Sequence, residues 1–256
     1  MFDEKLYKVL HSVPKPFWKP IPLKEWLKGD EYQFGQSLPS YAFMEVFFNR
    51  MPIRIAYQKR NWIFAPFDGV VVHAGKYDPD KDVLDVKGRG YTINQVLETE
   101  MECDCWVVGV FLTAFSVHLV RSPVTGVVKR VESLPPIVTA NMYMDLAEMG
   151  LLVDKKVYPE RFDFAYKNQR EIVEIYDPYN KIDVIIVSVA DRNVDNILNY
   201  RREGDLTRIG QRLQFVTWGS YGLLVIPENE RKLNLNVMVS PMDYVYGGLT
   251  CVFEIN

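Results

Sequence analysis

A carboxylic acid, an imidazole and a hydroxyl occur in separate segments of the sequence, in the order Asp68, His118 and Ser220. These are the groups of a nucleophilic triad, in which the acid orients the imidazole and the imidazole removes the hydroxyl proton. Gly219 precedes the serine, and a glycine among strand-forming residues is typical of a bulge, a bend or a close approach to the backbone. Their order along the chain does not prevent the three groups from lying close together in the fold.

Each of these residues also has a purely structural interpretation. Asp68 before a glycine is typical of a turn, and His118 among apolar neighbours is typical of a core histidine. Ser220 is small enough for an ordinary strand position. The sequence around it, WGSYG, lacks the first glycine of the Gly-x-Ser-x-Gly elbow, which disfavours an unrelated serine hydrolase. The residues alone leave a catalytic and a structural role open.

The composition disfavours some classes of function for this protein and favours others. Of 256 residues, 48% are hydrophobic and 25% are charged, which is typical of a globular domain with a sizeable core. A net charge of −3, without a basic stripe, makes nucleic acid an unexpected partner. Three cysteines are too few for a disulfide framework and indicate a reducing cytoplasm. No second Cys or His pair stands at ligand spacing, so no metal site is predicted.

Residues 1–40 are predicted to form an N-terminal arm. In its first thirty residues, six lysines stand against four acidic residues, with aliphatic and aromatic side chains between them. Such a segment suits an anionic membrane surface, and it suits packing as a helical arm on its own domain equally well. No apolar run reaches the roughly 18 to 20 residues that span a bilayer. We expect a cytoplasmic protein, either free or peripheral to a membrane.

Most of the remaining chain is predicted as β-structure, because β-branched and aromatic residues alternate or run together. The stretch FVTWGSYGLLVIP, residues 215–227, is interpreted as one strand interrupted at the Gly-Ser pair. Helices are predicted over 3–12, 38–49 and 139–150, with a short helical turn over 191–199. Thr139 or Asn141 is expected to cap the helix over 139–150, and Gly150 is expected to end it.

Two segments resemble each other, APFDGVVVHAG (65–75) and SPVTGVVKRVE (122–132). Each places a proline three residues before a glycine that leads into a Val-Val strand, which is typical of a turn feeding a strand. Duplication and convergence on a common turn both explain the likeness. We predict a mainly β (α+β) fold for residues 41–256, a single domain with duplicated barrel-sandwich or hammerhead-like units and peripheral helices.

Residues from about 41 to 255 resemble the phosphatidylserine decarboxylases, which are pyruvoyl-dependent decarboxylases. Each matching segment is short, but their common order makes the resemblance specific, and the chain is identified as a member of this superfamily. The matching segments, in order, are YAFMEVFFNR, FAPFDGVV, DVKGRGYTINQVL, SVHLVRSPVTG, YKNQREIV, VIIVSVADRNVDNI and RIGQRLQFVTWGSYGLLVIP.

The resemblance implies a function for the Gly-Ser pair. In the family, the serine hydroxyl attacks the preceding carbonyl, the amide becomes an ester, and elimination followed by hydrolysis leaves a pyruvoyl group. Carried over, the chain cuts itself between Gly219 and Ser220, and the pyruvoyl made from Ser220 is its cofactor. Asp68 and His118 then orient and activate the serine. The implied reaction is decarboxylation of phosphatidylserine to phosphatidylethanolamine.

One segment departs from the family pattern at a chemically important position. Where the family has Asp-Tyr-His-x-x-His, this chain keeps His118 but has Arg121 in place of the second histidine. Arginine stays protonated and cannot act as a base near neutral pH, although it can pair with a substrate carboxylate or phosphate. Two alternatives to the lipid decarboxylase therefore stay open, a decarboxylase of a soluble amino acid and a non-catalytic family member. A homodimer also stays open.

Overall fold

The computed structural model describes residues 4, 7, 9, 18–81, 83, 90–192, 197–218, 220–228 and 233–256. Within these residues the strands are β1 (Ile21–Pro22), β2 (Trp62–Phe64), β3 (Gly69–Tyr77), β4 (Cys105–Leu112), β5 (Leu119–Arg121), β6 (Gly126–Leu134), β7 (Arg170–Asp177), β8 (Ile182–Ala190), β9 (Ile197–Asn199), β10 (Leu206–Thr207), β11 (Arg212–Val216), β12 (Ser220–Pro227), β13 (Leu235–Val237), β14 (Asp243–Val245) and β15 (Cys251–Ile255). The helices are α1 (Leu23–Trp26), α2 (Asp30–Ser37), α3 (Ser40–Ala42) continued by the π-helical Phe43–Phe48, α4 (Ile93–Leu97), α5 (Asp145–Met149) continued by the π-helical Gly150–Asp154, the 3₁₀-helix Pro159–Arg161, and α6 (Phe164–Lys167).

The strands form one large and two small antiparallel sheets. The large sheet has the order β1-β14-β3-β4-β12-β8-β7-β6-β10, and the small sheets have the orders β5-β11-β9 and β13-β15-β2. Strand β12 lies at the centre of the large sheet and is buried along almost its whole length, as its continuous apolar sequence requires. Among the described residues, the large sheet runs from the edge strand β1 to the edge strand β10. The predicted β-rich α+β class is confirmed.

The strands from β2 onward form two matching sets. Strands β2, β3 and β4 correspond to β5, β6 and β7, and β12 to β15 correspond to β8 to β11. Apart from β1, the strand order from one edge of the large sheet, β14-β3-β4-β12, therefore matches the order from the other edge, β10-β6-β7-β8. The small sheets match in the same way, as β13-β15-β2 and β9-β11-β5. The two halves are related by an approximate twofold axis between β12 and β8.

Local irregularities repeat at matching positions, which supports duplication over convergence. The register of β3 with β4 shifts between Val71 and His73, and that of β6 with β7 shifts between Val128 and Arg130. Counted from the glycine that begins each strand, these two shifts fall at the same positions. A β-bulge at a matching place is a specific structural feature that a shared turn alone does not require.

The two turns that were predicted to be copies also bond to each other reciprocally. The backbone N–H of Arg121 donates to the carbonyl of Pro66 at 2.9 Å, and that of Phe64 donates to the carbonyl of Pro123 at 3.1 Å. Each bond joins a strand end in one half to the turn proline of the other half. An approximate twofold axis through this region requires such a reciprocal pair of hydrogen bonds.

The glycines that begin β3 and β6 lie against a neighbouring backbone. A Cβ on Gly126 would lie 2.1 Å from the Tyr176 carbonyl oxygen, and one on Gly69 would lie 2.2 Å from that of Phe111. We expect Gly126→Ala to lower the free energy of unfolding by about 1–3 kcal/mol, because β7 must move away. Urea unfolding measures this loss. Gly75→Ala, where the nearest atom to a Cβ would lie at 3.5 Å, is the control and is expected to change the free energy of unfolding by about 1 kcal/mol or less.

The second half is inserted into a hairpin of the first. Strand β4 ends at Leu112 and β12 begins at Ser220, and these two residues are direct register partners. At the matching place in the other half, Asp177 and Ile182 are partners joined by a short turn. Ser220 therefore begins the strand at the point where the chain returns from residues 113–219.

The interpretation of residues 215–227 as one interrupted strand is wrong. Residues up to Val216 belong to β11 in a small sheet, whereas Ser220 begins β12 in the large sheet. The change of sheet lies between them, so the serine marks a strand start. Local β-propensity cannot show this, because both pieces are equally rich in strand-forming residues.

The helix predictions are partly confirmed. A helix covers most of 38–49, but the helix predicted over 139–150 begins at Asp145 and continues past Gly150, whose φ of −56° is helical. Its N-terminus has no side-chain cap. Residues 197–199 form strand β9, so the predicted helical turn is wrong there, while 193–196 lie outside the described residues. Of the helix predicted over 3–12, only residues 4, 7 and 9 are described.

The described part of the predicted arm packs on the edge of the large sheet. Strand β1 pairs with β14, and the Trp26 ring stacks on that of Tyr244 with centroids 3.9 Å apart. Leu23 and Phe34 are also buried. Among the described residues, no helix is long and apolar enough to cross a membrane.

Candidate active site

Ser220 lies at the start of the central strand of the large sheet. As the first residue of β12, it pairs with Leu112 of β4 on one side and Ala190 of β8 on the other. Its side chain is fully buried, and its Oγ has no hydrogen-bond partner in the part of the chain that the structure describes. A buried unpaired hydroxyl is costly, and its presence at this position therefore needs an explanation. Gly219 lies outside the described residues.

His118 is buried in an aromatic stack that leads toward this strand. Its ring stacks on Phe48 at 4.3 Å, and the Phe48 ring lies 5.0 Å from that of Trp218, two residues before Ser220. Neither ring nitrogen has a hydrogen-bond partner from any described residue. Burial, assisted by the Arg50 charge, lowers the pKa of His118 to about 3, and the nearby Ser116 backbone opposes this lowering only in part. The imidazole is therefore neutral near pH 7 and has a nitrogen free to accept a proton.

Asp68 is fully buried, but its hydrogen bonds go to partners other than His118. Both of its carboxylate oxygens accept from Arg54, at 2.5 Å each, and one also accepts from the backbone N–H of Gly247 at 2.8 Å. Burial alone lowers the pKa of Arg54, but the adjacent Asp68 charge outweighs it and raises that pKa. Among the described residues, no bond joins Asp68 to His118, so its part in orienting the imidazole stays a prediction.

Arg121 is buried beside this ion pair, with its side chain already engaged. Its two Nη groups donate to the carbonyls of Gly210 at 2.9 Å and Pro52 at 2.7 Å. Burial and the nearby Arg54 charge lower its pKa to about 10, so it stays charged at neutral pH. Binding of a substrate anion there would require these carbonyl contacts to break. The predicted substrate-binding role of Arg121 is untested.

Two carboxyl groups with raised pKa values stand at the strand ends that flank Ser220. Glu148 accepts a hydrogen bond at 2.7 Å from the backbone of Ala114, two residues past the end of β4. Asp191 directly follows β8 and accepts from the backbone of Met144 at 3.0 Å. Burial raises the pKa of Glu148 to about 7 and that of Asp191 to about 6. Both groups can therefore exchange protons near neutral pH.

The raised pKa of Glu148 predicts a pH-dependent stability. Unfolding returns this group to a pKa of about 4.5, so the folded state loses stability as the pH rises from about 4.5 to about 7. We expect Glu148→Gln to match the wild type near pH 4.5 and to exceed it by about 1–2 kcal/mol at pH 8, allowing for solvent screening. Urea unfolding at both pH values measures the difference. Glu203→Gln, at an exposed loop position, is the control; a loss of stability at pH 8 in Glu148→Gln would contradict the assignment.

A buried cluster of hydroxyls and an imidazole holds β12 immediately after Ser220. The Tyr221 hydroxyl bonds to His73 Nε2 at 2.8 Å and to the Tyr91 hydroxyl. Gly109 makes room for it, because a Cβ there would lie 2.2 Å from the Tyr221 oxygen. Tyr221 thus anchors the residue that follows the serine, which limits how far the serine backbone can shift.

Sequence reasoning missed Arg54 and Glu148. Arg54 lies between Ile53 and Ile55, which are 77% and 89% exposed, while its own side chain is only 3% exposed. Apolar alternation predicts the opposite orientation. Glu148 carries no local signal, since its pKa depends on burial against a distant strand end.

The fold is a β-rich domain with two matching halves, in which the Ser220 hydroxyl and the neutral His118 imidazole are both buried. A model of the phosphatidylserine decarboxylase family matches residues 41–252. The chain belongs to this family, a family of carboxy-lyases, as the seven segments predicted.

Individual relatives match most of the chain. A phosphatidylserine decarboxylase proenzyme from Burkholderia vietnamiensis is 27% identical over 225 residues, covering 87% of this chain and 85% of the relative. One from Carboxydothermus hydrogenoformans is 26% identical over 210 residues, covering 82% and 79%. A protein from Methanocaldococcus jannaschii, assigned as an archaetidylserine decarboxylase proenzyme, is 25% identical over 222 residues, covering 86% and 93%. These relatives are therefore similar to this chain over nearly its whole domain.

Proposed function

We propose that this chain is a pyruvoyl-dependent decarboxylase that converts phosphatidylserine to phosphatidylethanolamine after cutting itself between Gly219 and Ser220. The observation that carries the proposal is the Ser220 hydroxyl, buried at the start of the central strand and without a hydrogen-bond partner from the described residues. Family membership and the proenzyme names of the relatives support it.

The surroundings of Ser220 fit a pyruvoyl group. Its unpaired Oγ loses no described hydrogen bond when the Cβ–O bond breaks and Cβ becomes the methyl carbon of the pyruvoyl group, and the apolar partners on β4 and β8 keep bulk water away. The ketone supplies an electrophile that binds the substrate amine and accepts the electron pair released as carbon dioxide departs.

Maturation uses atoms that the chain itself provides. The Ser220 oxygen bonds to the Gly219 carbonyl carbon, the carbon–nitrogen bond between the two residues breaks, and the hydroxyl proton ends on the freed amine. Elimination then removes the Cα proton, breaks the Cβ–O bond and releases residues 1–219 with a terminal carboxylate, and the resulting Cα=Cβ double bond becomes an imine when Cβ takes up a proton. Water finally replaces the amine nitrogen, which leaves as ammonia, and residue 220 ends as a ketone.

His118 is the base that this proposal assigns to maturation. Its pKa of about 3 keeps it neutral at physiological pH, and its ring nitrogens are unpaired among the described residues. Arg121, which stands at the family's second histidine, stays protonated and donates to backbone carbonyls. His118 therefore has to accept the serine proton without help from a second imidazole.

The test is intact-mass spectrometry of freshly purified protein, followed by assays on both substrate classes. We expect two chains, residues 1–219 and 220–256, with a hydrazide-reactive carbonyl on the smaller one. Carbon dioxide release from phosphatidylserine vesicles, and none from free serine, supports the lipid substrate. The reverse result supports a soluble amino acid.

An intact chain of 29.8 kDa without carbonyl reactivity contradicts the proposed enzyme. Arg121→His then separates the remaining explanations. Cleavage that appears only in this variant identifies the missing second histidine as the cause. No cleavage in either form supports a non-catalytic family member.

A further inference from the structure

The approximate twofold axis relates the Ser220 region to a second place in the fold. Ile182 begins β8 where Ser220 begins β12, and Thr125 follows its turn proline as Asp68 follows its own. The half that contains Ile182 therefore lacks the hydroxyl and the carboxylate proposed for self-cleavage. A cavity of about 640 Å³ lies there, with Thr125 and Asp177 in its wall. Its volume is within the ordinary range for small-molecule sites.

Two arginines give this cavity a positive character. Arg60 and Arg208 both line it, and both are exposed to solvent. In the described chain, the arginines in ion pairs are four others, Arg50, Arg54, Arg130 and Arg170. The guanidinium groups of the cavity are therefore free to bind an anion.

Among the described residues that line the cavity, one has a carboxylate, and this carboxylate accepts hydrogen bonds from the turn that follows it. Asp177 accepts from the backbone of Tyr179 at 2.9 Å, and from the backbone and side chain of Asn180 at 3.3 and 2.7 Å. These donors stabilise its charge locally and leave the arginines without a counter-ion. An anion that enters the cavity therefore meets two guanidinium groups and one carboxylate that already accepts hydrogen bonds from its own turn.

Aromatic rings complete the binding surface. Trp62 and Tyr179 also line the cavity, and the Arg60 guanidinium carbon lies 4.9 Å from the centre of the Tyr179 ring. This cation–π contact limits the orientations of Arg60. The rings provide apolar area for an organic group beside the charged end.

We propose that this cavity binds a phosphate ester, with Arg60 and Arg208 holding the phosphate. Paired guanidinium groups suit the geometry and charge of phosphate oxygens. The phosphate can belong to a soluble ester or to a lipid headgroup, and the two sources share this chemistry. The proposal goes beyond the decarboxylase and does not depend on the chemistry at Ser220.

The test measures binding in the full-length Ser220→Ala chain, so that self-cleavage does not enter. Tryptophan fluorescence and calorimetry follow titration with inorganic phosphate, with glycerol 3-phosphate, and with phosphatidylcholine vesicles that contain or lack phosphatidic acid. We expect saturable binding of glycerol 3-phosphate or of the phosphatidic acid vesicles. The first result identifies a soluble ester and the second a lipid headgroup.

The arginine variants decide the location of the site. Arg60→Gln with Arg208→Gln is expected to weaken binding about 100-fold, roughly tenfold for each arginine. Arg202→Gln, which removes an exposed arginine outside the cavity, is the matched control and is expected to bind as the parent does. Because both cavity arginines are exposed, the double variant is expected to keep the parent's melting temperature without ligand. Absence of saturable binding, unchanged binding in the double variant, or equal weakening in the control overturns the proposal.

Discussion

Ser220→Ala is expected to yield a single 29.8 kDa chain with no fragment 220–256 and no decarboxylase activity. The hydroxyl is both the proposed nucleophile and the source of the ketone, so no other side chain can replace it. The fold is expected to remain intact, because the Ser220 Oγ has no hydrogen bond to any described residue that alanine would break. A denaturing gel, intact-mass spectrometry and near-ultraviolet circular dichroism measure these outcomes.

Ser188→Ala is the matched control for this experiment. Ser188 is also fully buried, on the neighbouring strand β8, but its Oγ donates to Gln214 at 2.7 Å. Its loss is expected to lower the free energy of unfolding by about 1–2 kcal/mol while cleavage proceeds normally. Fragments cut at residue 220 in Ser220→Ala would show that another group breaks the bond.

Asp68→Asn is expected to destabilise the protein by about 3–5 kcal/mol. Asp68 is the ion-pair partner of Arg54 and lies close to the charge of Arg121. Asparagine keeps the shape but removes the negative charge, which leaves buried guanidinium groups uncompensated. The loss of a buried partner costs far more than an intact pair contributes, because the remaining charge stays out of water. Urea unfolding at neutral pH measures this difference.

Asp183→Asn provides the contrasting ion pair. Asp183 bonds to Lys129 at 3.0 Å, and both side chains are partly exposed, so its loss is expected to cost less than about 1 kcal/mol. A similar small loss in Asp68→Asn would contradict the importance of the Arg54 pair.

Cleavage in the folded fraction of Asp68→Asn tests a separate point. If Asp68 acts only through the ion pair with Arg54, the folded variant is expected to cut itself at the wild-type rate. A slower rate at full folding supports the predicted role of Asp68 in activating Ser220. The rate is measured at low temperature, where the destabilised variant stays folded.

The sequence by itself determined the family and the β-rich class, and it indicated the segments that carry the candidate reactive groups. Ser220 and His118 are candidates because short motifs keep their chemistry and order along the chain, and their catalytic roles stay predictions. The repeated Pro-x-x-Gly turns were found for a related reason, since a turn is specified by adjacent residues. Each of these features depends on local residue types.

Only the tertiary structure decided which groups contact each other. Arg54, Asp68 and Gly247 form one hydrogen-bonded group although Gly247 is 179 residues from Asp68 in the sequence. The division of residues 215–227 between two sheets, and the raised pKa of Glu148, depend in the same way on distant strand ends. Partner choice and burial are properties of the whole packed chain, and local residue patterns therefore cannot specify them.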